Sequence, residues 1–297
     1  MHERARTAAP LARRPRVAVV VGSGGLKCAA ALGMWRVLER AGIQADVVVG
    51  CSGGALYTAA MALGVPLERA ERETLCMWDG LFERRRYRAL VSALLPKTAE
   101  RSERFGLLDD ALLNRRLRQM FGDATFADTR IPLYLASTDV HSGESHTIDQ
   151  GPIFDAIRSS VAIPLLLPPW RANGRLLMDG GASDPLPISV AIREGAEIIL
   201  AMGFEVPLTA PVGSMLQAAQ RTMATTVNHL LRATYAFYSA VHHAEIIPLM
   251  PDFGQTVRLG DTHLIPRLIE LGEQVTEEQL PYLRRLLSAC AAQESCR

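Results

Sequence analysis

Aromatic residues make up only 6% of this chain, and its basic and acidic residues nearly cancel, leaving a formal net charge of +1. Without a strong global charge there is no long-range field to gather nucleic acid. No uninterrupted apolar run is long enough to read as a membrane span. No charged start followed by an apolar stretch reads as a secretory signal. Cysteine is scarce and odd in number: Cys28, Cys51, Cys76, Cys290 and Cys296. None of these has metal-ligand spacing, so reduced thiols in a cytoplasmic protein are expected rather than a disulfide framework or a metal site. Internal repeats, low-complexity tracts and linkers are missing too, which favours a single domain over residues 16–297. Ahead of it, residues 1–15 hold Arg4, Arg6, Arg13 and Arg14 against Glu3 alone and read as a disordered basic tail. Such a tail leaves peripheral contact with an anionic membrane open.

What is present is apolar and mostly aliphatic. Hydrophobic residues reach 48%, enough for a large core. Arg16–Gly22 reads RVAVVVG, a β-branched run of the kind buried on both faces of a parallel sheet. A glycine turn follows, then a helix over Ala29–Ala41 stopped by Gly42. Ala45–Gly50 repeats the strand, Cys51–Gly54 the turn, and Ala55–Leu63 the helix, closed by Gly64. Two neighbouring parallel strands with a right-handed crossover are the simplest arrangement. Further strands are expected at Ile131–Thr138, Ser145–Asp149, Arg175–Met178 and Glu197–Met202, with helices at Ile153–Val161 and Val190–Glu194. Residues 65–125, rich in Arg, Glu and Leu, read as a helical insertion or cap, and residues 210–297 as a helical extension. The expected architecture is α/β and three-layered, with a mostly parallel central sheet covered by helices on both faces.

Three turns carry the candidate chemistry. Gly50-Cys51-Ser52-Gly53-Gly54 matches G-x-S-x-G between a buried strand and a small-residue helix. A serine on such a turn projects above the sheet edge, with a helix N-terminus behind it. The plain alternative is an ordinary glycine-rich βα turn. Gly22-Ser23-Gly24-Gly25-Leu26-Lys27 ends the preceding strand. It can offer backbone N–H groups to an oxyanion or, alternatively, to a phosphate. The dinucleotide pattern G-x-G-x-x-G fails at Lys27 and Cys28. Asp179-Gly180-Gly181 closes the Arg175–Met178 strand. It suits a carboxylate reaching a cleft, although a simple Asp-Gly turn has the same spelling. A Ser-Asp-His triad remains formally open, since His229, His242, His243 and His263 follow Asp179. Against it, only one strand precedes the Ser52 strand.

These motifs, in this order, resemble the patatin-like phospholipases, in particular the bacterial branch near the neuropathy target esterase domain. The likeness extends through Ala30–Ile43, Ala136–Asp139, Ala156–Pro164 and Asp179–Pro187, covering roughly residues 16–205. It implies a patatin-like fold and a Ser-Asp dyad, with Ser52 as nucleophile and Asp179 as general base. The amides around Gly24, Gly25 and Leu26 would hold the oxyanion. Gly50, Cys51, Gly53 and Gly54 would form the nucleophile turn, and Lys27, Gly180 and Gly181 would support the site. The implied substrate is a phospholipid, lysophospholipid or related acyl ester, with no metal and no cofactor. The same fold could also serve a non-hydrolytic lipid binder or an acyltransferase. Two positions depart from the family pattern: Cys28 where the loop usually closes with glycine, and Lys27 where arginine is frequent.

Overall fold

A computed structural model describes residues 14–81, 106–208 and 213–293. Most of the expected tail, the ERRRYR cluster at 83–88 and much of the expected cap lie outside the described residues. The tail boundary needs correction. Arg14 forms a two-pronged contact with Asp46, at 2.7 and 2.9 Å, and Pro15 is buried, so both belong to the folded body.

The fold is built around an eight-stranded sheet. Its strands are β1 (Val17–Val21), β2 (Val47–Cys51), β3 (Leu133–Asp139), β4 (Ser145–Ile148), β5 (Trp170–Ala172), β6 (Arg175–Asp179), β7 (Ile198–Met202) and β8 (Glu245–Leu249). The order is β5-β6-β3-β2-β1-β7-β8, with β4 paired to β3 outside that path. Strands β3, β2, β1, β7 and β8 are parallel to one another, while β4, β5 and β6 join antiparallel on the β3 side.

The helices are α1 (Ala30–Ala41), α2 (Gly53–Leu63), α3 (Leu67–Trp78), α4 (Ala111–Phe121), α5 (Ile153–Ser160), α6 (Ile188–Arg193), α7 (Met215–Val241) and α8 (Ile265–Gln293). The period-2 alternation of β1 divides them into layers. Val17, Val19 and Val21 point into a core shared with α1 to α5 and α8. Ala18 and Val20 point into a second core with Ile188, Ala191 and Leu231 of α6 and α7. Every β1 residue is therefore buried, which is why the strand reads as a continuous aliphatic run.

Two strands escaped the sequence reading. Strand β5 pairs with β6 across a turn at Asn173 and Gly174, both in the left-handed region at φ 49° and 78°. Strand β8 adds to β7 at the sheet edge, so the C-terminal region is not solely a helical extension. Helix α8 then returns across α1 at very short range. A Cβ placed on Gly33 would fall 2.0 Å from the Ile269 carbonyl, and one on Gly272 would fall 1.9 Å from the Ala30 carbonyl. Arg36 bonds Glu273 at 2.8 Å beside this crossing.

The registers bring the site together. Val21 of β1 pairs with Gly50 of β2, Cys51 pairs with Ala136 of β3, and Ser137 pairs with Asp179 of β6. The turns after β1 and β2 and the end of β6 therefore meet at one level, at the carboxyl end of the parallel strands.

Candidate active site

Ser52 is the single residue between β2 and α2, and it is held at φ 55°, ψ −127°. A side chain in this region costs on the order of 1–3 kcal/mol unless its surroundings enforce it. The enforcement is steric and polar. A Cβ on Gly53 would lie 2.4 Å from the Gly25 carbonyl, and one on Gly54 would lie 2.3 Å from the Val21 carbonyl. Glycine at both positions lets α2 start close against the β1 turn. A Cβ on Gly50 would meet the Thr58 hydroxyl at 2.1 Å. Cys51 is fully buried, and burial pushes its thiol well above the usual range, so it is a packing residue.

The strained turn aims the Ser52 Oγ at Asp179, donating to its Oδ2 at 2.6 Å. Asp179 Oδ1 accepts the Gly181 N–H at 2.8 Å, so both carboxylate oxygens are engaged. Gly180 lies against the Ala136 carbonyl, where a Cβ would come within 2.4 Å. Ser52 is 3% exposed and Asp179 2%. Burial raises the Asp179 pKa from 3.8 to about 6; the bonds from Ser52 and Gly181 pull in the opposite direction but do not cancel it. A carboxylate of raised basicity, in contact with a hydroxyl, can take up that proton near neutral pH.

The glycine loop packs beside this pair. Ser23 is tied through its N–H to the Pro185 carbonyl at 2.7 Å, and Gly24 lies under Phe204. Gly25 adopts φ 57° and opens a short 3-10 turn through Ala29. Among the described residues, the N–H groups of Gly24, Gly25 and Leu26 donate to no acceptor. The first amides of any helical turn lack intrahelical partners, and here no side chain caps them.

Lys27 turns elsewhere. It is buried, its Nζ donates to the Glu205 carbonyl at 2.7 Å, and burial lowers its pKa to about 8. No hydrogen bond joins it to Ser52 or Asp179, so it anchors the loop after β7 to the glycine loop. Cys28 is fully buried, with its thiol directed to the Gly22 carbonyl at 3.4 Å. The side chain thus fits where the family pattern has glycine.

One residue of the site was not singled out from sequence. Ser160, the last residue of α5, accepts the Ser52 N–H at 2.9 Å and donates to the Ala136 carbonyl at 2.6 Å. It is fully buried. The visible signal was a pair of serines ending an apolar helix, which sequence alone does not distinguish from a helix cap. The four candidate histidines are all exposed, and none bonds Ser52 or Asp179. Among the described residues, no group of three or more His, Cys, Asp or Glu side chains is arranged to hold a metal ion.

Residues 19–192, which include all three motifs, match the family model for patatin-like phospholipase. The chain belongs to the patatin-like phospholipase family. Within it, an uncharacterized NTE family protein of Mycobacterium bovis is 29% identical over 225 residues, covering 75% of this chain and 58% of that protein. Human patatin-like phospholipase domain-containing protein 6 is 26% identical over 188 residues, covering 63% of this chain but only 13% of that protein. This patatin-like chain thus spans somewhat over half of the mycobacterial relative and a small part of the human one. Among solved structures, human GIVD cytosolic phospholipase A2 in complex with methyl gamma-linolenyl fluorophosphonate superposes with a TM-score of 0.51 at 14% identity. That match covers 94% of this chain and 60% of the human chain. VipD from Legionella pneumophila gives 0.50 at 14% identity, covering 93% and 67%. At such identities the patatin-like chain shares the fold with these proteins, and the fold alone. Among its described residues, no helix is long and apolar enough to cross a membrane.

Proposed function

We propose that the protein is a serine lipid acyl hydrolase that works through Ser52 and Asp179. The observation that carries this reading is the 2.6 Å bond from Ser52 Oγ to Asp179 Oδ2 at a buried carboxylate of raised pKa. Ser52 Oγ attacks the ester carbonyl carbon while Asp179 Oδ2 takes the hydroxyl proton. The carbonyl oxygen, now an anion, is held by the free N–H groups of Gly24, Gly25 and Leu26. As the tetrahedral adduct collapses, its bond to the alcohol oxygen breaks, and the proton on Asp179 passes to that oxygen. Water then attacks the acyl-serine, Asp179 takes its proton, and the bond to Ser52 breaks. The proton returns to Ser52 and the carboxylic acid departs. Phospholipid, lysophospholipid and related acyl esters fit family membership as the substrate class.

A fluorophosphonate probe and a panel of p-nitrophenyl esters and defined phospholipids test the proposal on wild type, Ser52→Ala and Asp179→Asn. Wild type should label at Ser52 and hydrolyse esters, and both variants should lose turnover while remaining folded. Folded wild type that binds lipid but neither labels nor hydrolyses would overturn the enzyme reading in favour of a lipid-binding protein. Acyl transfer to an added alcohol in preference to water would redirect it to an acyltransferase.

A further inference from the structure

Arg158 of α5 is a cation with 0% exposure. Burial works against its charge and lowers its pKa, while Asp110 pulls the other way. Nε donates to Asn114 Oδ1 at 2.9 Å, and Nη2 donates to Asp110 Oδ2 at 2.7 Å and to the Pro168 carbonyl at 3.3 Å. The guanidinium lies over the Trp170 ring, 4.9 Å from its centroid. Among the described residues, Nη1 has no acceptor. A buried ion pair of this kind is a weak source of stability, since apolar side chains of similar volume often serve as well. What the planar fork supplies is geometry. It reaches α4 and the loop after α5 at once, whereas a lysine ammonium is a single point of charge.

The segment held by this fork runs from residue 106 into α4. Besides Asp110 and Asn114, it is tied by the Leu107 and Leu108 N–H groups, which donate to the Leu165 and Leu166 carbonyls at 3.0 and 2.9 Å. On the other side stands the dyad. Residues two apart on a helix point about 200° away from each other, so Arg158 and Ser160 leave α5 on opposite sides. Ser160 accepts the Ser52 N–H at 2.9 Å, and two residues later the Ala162 carbonyl accepts the Asp179 N–H at 3.0 Å. Residues 158–168 thus bond the backbone of both candidate catalytic residues on one side and the 106–114 segment on the other. Leu165, within this stretch, is held at φ 70°. A leucine persists in that backbone state only where its surroundings enforce it, and here the Leu107 and Arg158 bonds secure the loop around it.

We infer that Arg158 is a positioning residue of the reaction: clamped to Asp110 and Asn114, it fixes α5 and the loop after it so that Ser160 and Ala162 present Ser52 and Asp179 to each other. It bonds neither of the two itself. The kinetic part of this inference rests on the hydrolase reading; the clamp rests on its own bonds.

The test compares the full chain with Arg158→Lys, which keeps the charge and loses the fork, and with the milder Asp110→Asn, by turnover of p-nitrophenyl butyrate. Arg158→Lys should lower kcat roughly tenfold to a hundredfold, the scale of a small misplacement made far from the chemistry, with KM within about twofold. In a Ser160→Ala background the same change should cost at most about threefold, because both side chains act on one bond. Asp110→Asn separates position from charge, and it carries the test should Arg158→Lys fail to fold. Through space alone, losing a carboxylate lowers the Asp179 pKa and moves the acid limb of kcat/KM down. Displacement instead weakens the Ser52 bond that restrains this pKa and moves the limb up, which is the expected result. Hydrogen exchange reads the clamp without turnover: the Ser52 and Asp179 amides should exchange about tenfold faster in Asp110→Asn while those of β1 stay unchanged. Variants that melt earlier but keep kcat, the acid limb and these two exchange rates would make Arg158 a purely structural residue and overturn the inference. Fully additive losses with Ser160→Ala would overturn it as well. Wild type without ester turnover would instead defeat the hydrolase proposal, and the exchange rates alone would then decide the clamp.

Discussion

The turns after β1 and β2 have similar composition and adjacent positions, yet they are built in opposite ways. The β2 turn forces a side chain into a left-handed conformation, and the buried Ser52 N–H is already taken by Ser160. The β1 turn has no strained side chain and leaves three amides without acceptors. One turn presents a hydroxyl and the other presents backbone. The difference shows how two glycine-rich loops divide a reaction centre. Glycine in the first admits a neighbouring helix, and glycine in the second keeps side chains away from N–H groups.

The largest effect expected from this division is at Ser52. Ser52→Ala should lower turnover by roughly 10⁴–10⁶, and Asp179→Asn by a comparable factor, measured with p-nitrophenyl esters. Asp179→Asn should also make the fold more stable near neutrality. Burial holds the native pKa at about 6, above the ordinary 3.8, so between these values the native state binds a proton that the unfolded chain has released. Stability of the wild type therefore rises as pH falls through this window. The advantage of Asp179→Asn, on the order of 1–3 kcal/mol at pH 7, should shrink toward pH 4 in denaturant melts. Wild-type kcat/KM should fall below about pH 6, as Asp179 becomes protonated.

Next comes the β1 turn. Gly25→Val places a branched side chain at φ 57°, against Leu259. Distorting the amides should cost about 10²–10³ in kcat, with fluorophosphonate labelling slowed in step. Near-normal activity would detach the glycine loop from the reaction. Smaller again is Ser160→Ala, expected to lower kcat about tenfold to a hundredfold with KM little changed, the scale of one buried unpaired amide. The acid limb of the pH profile should move upward, because the Ser52 bond that restrains the Asp179 pKa weakens. A loss as large as that from Gly25→Val would mean that the Ser52 amide belongs with the β1 amides after all. The smallest effect distinguishes strain from chemistry. Ser52→Gly should be more stable than Ser52→Ala by about 1 kcal/mol, since only glycine relieves the left-handed turn.

The parts legible in sequence were those where local pattern and fold agree. The VAVVV and VVV runs declared buried parallel strands because both faces of β1 and β2 meet cores, and the glycine turns declared their helices by position. Asp179 was harder, since Asp-Gly-Gly spells a turn as well as a carboxylate aimed at a cleft; only the pairing of Ser137 with Asp179 brings it level with Ser52. Strand β5 was announced by Asn173-Gly174, a hairpin signal that went unused beside the two prolines before it. Strand β8 hid behind Pro248, which a central strand would not accept and an edge strand does. Ser160 was illegible for a different reason. Its role depends on a bond to a residue 108 positions away, and no local pattern encodes that.

The close crossing of α1 and α8 bears on where the molecule can be cut. The segment that matches the family model stops at residue 192, before β7. Yet β7 is the lateral neighbour of β1, and Gly272 of α8 rests on the helix that follows the candidate oxyanion loop. A chain shortened to the matched segment would leave β1 with an open edge and bare the apolar flank of α1. The segment matched by the family model is thus smaller than the unit that packs as one body.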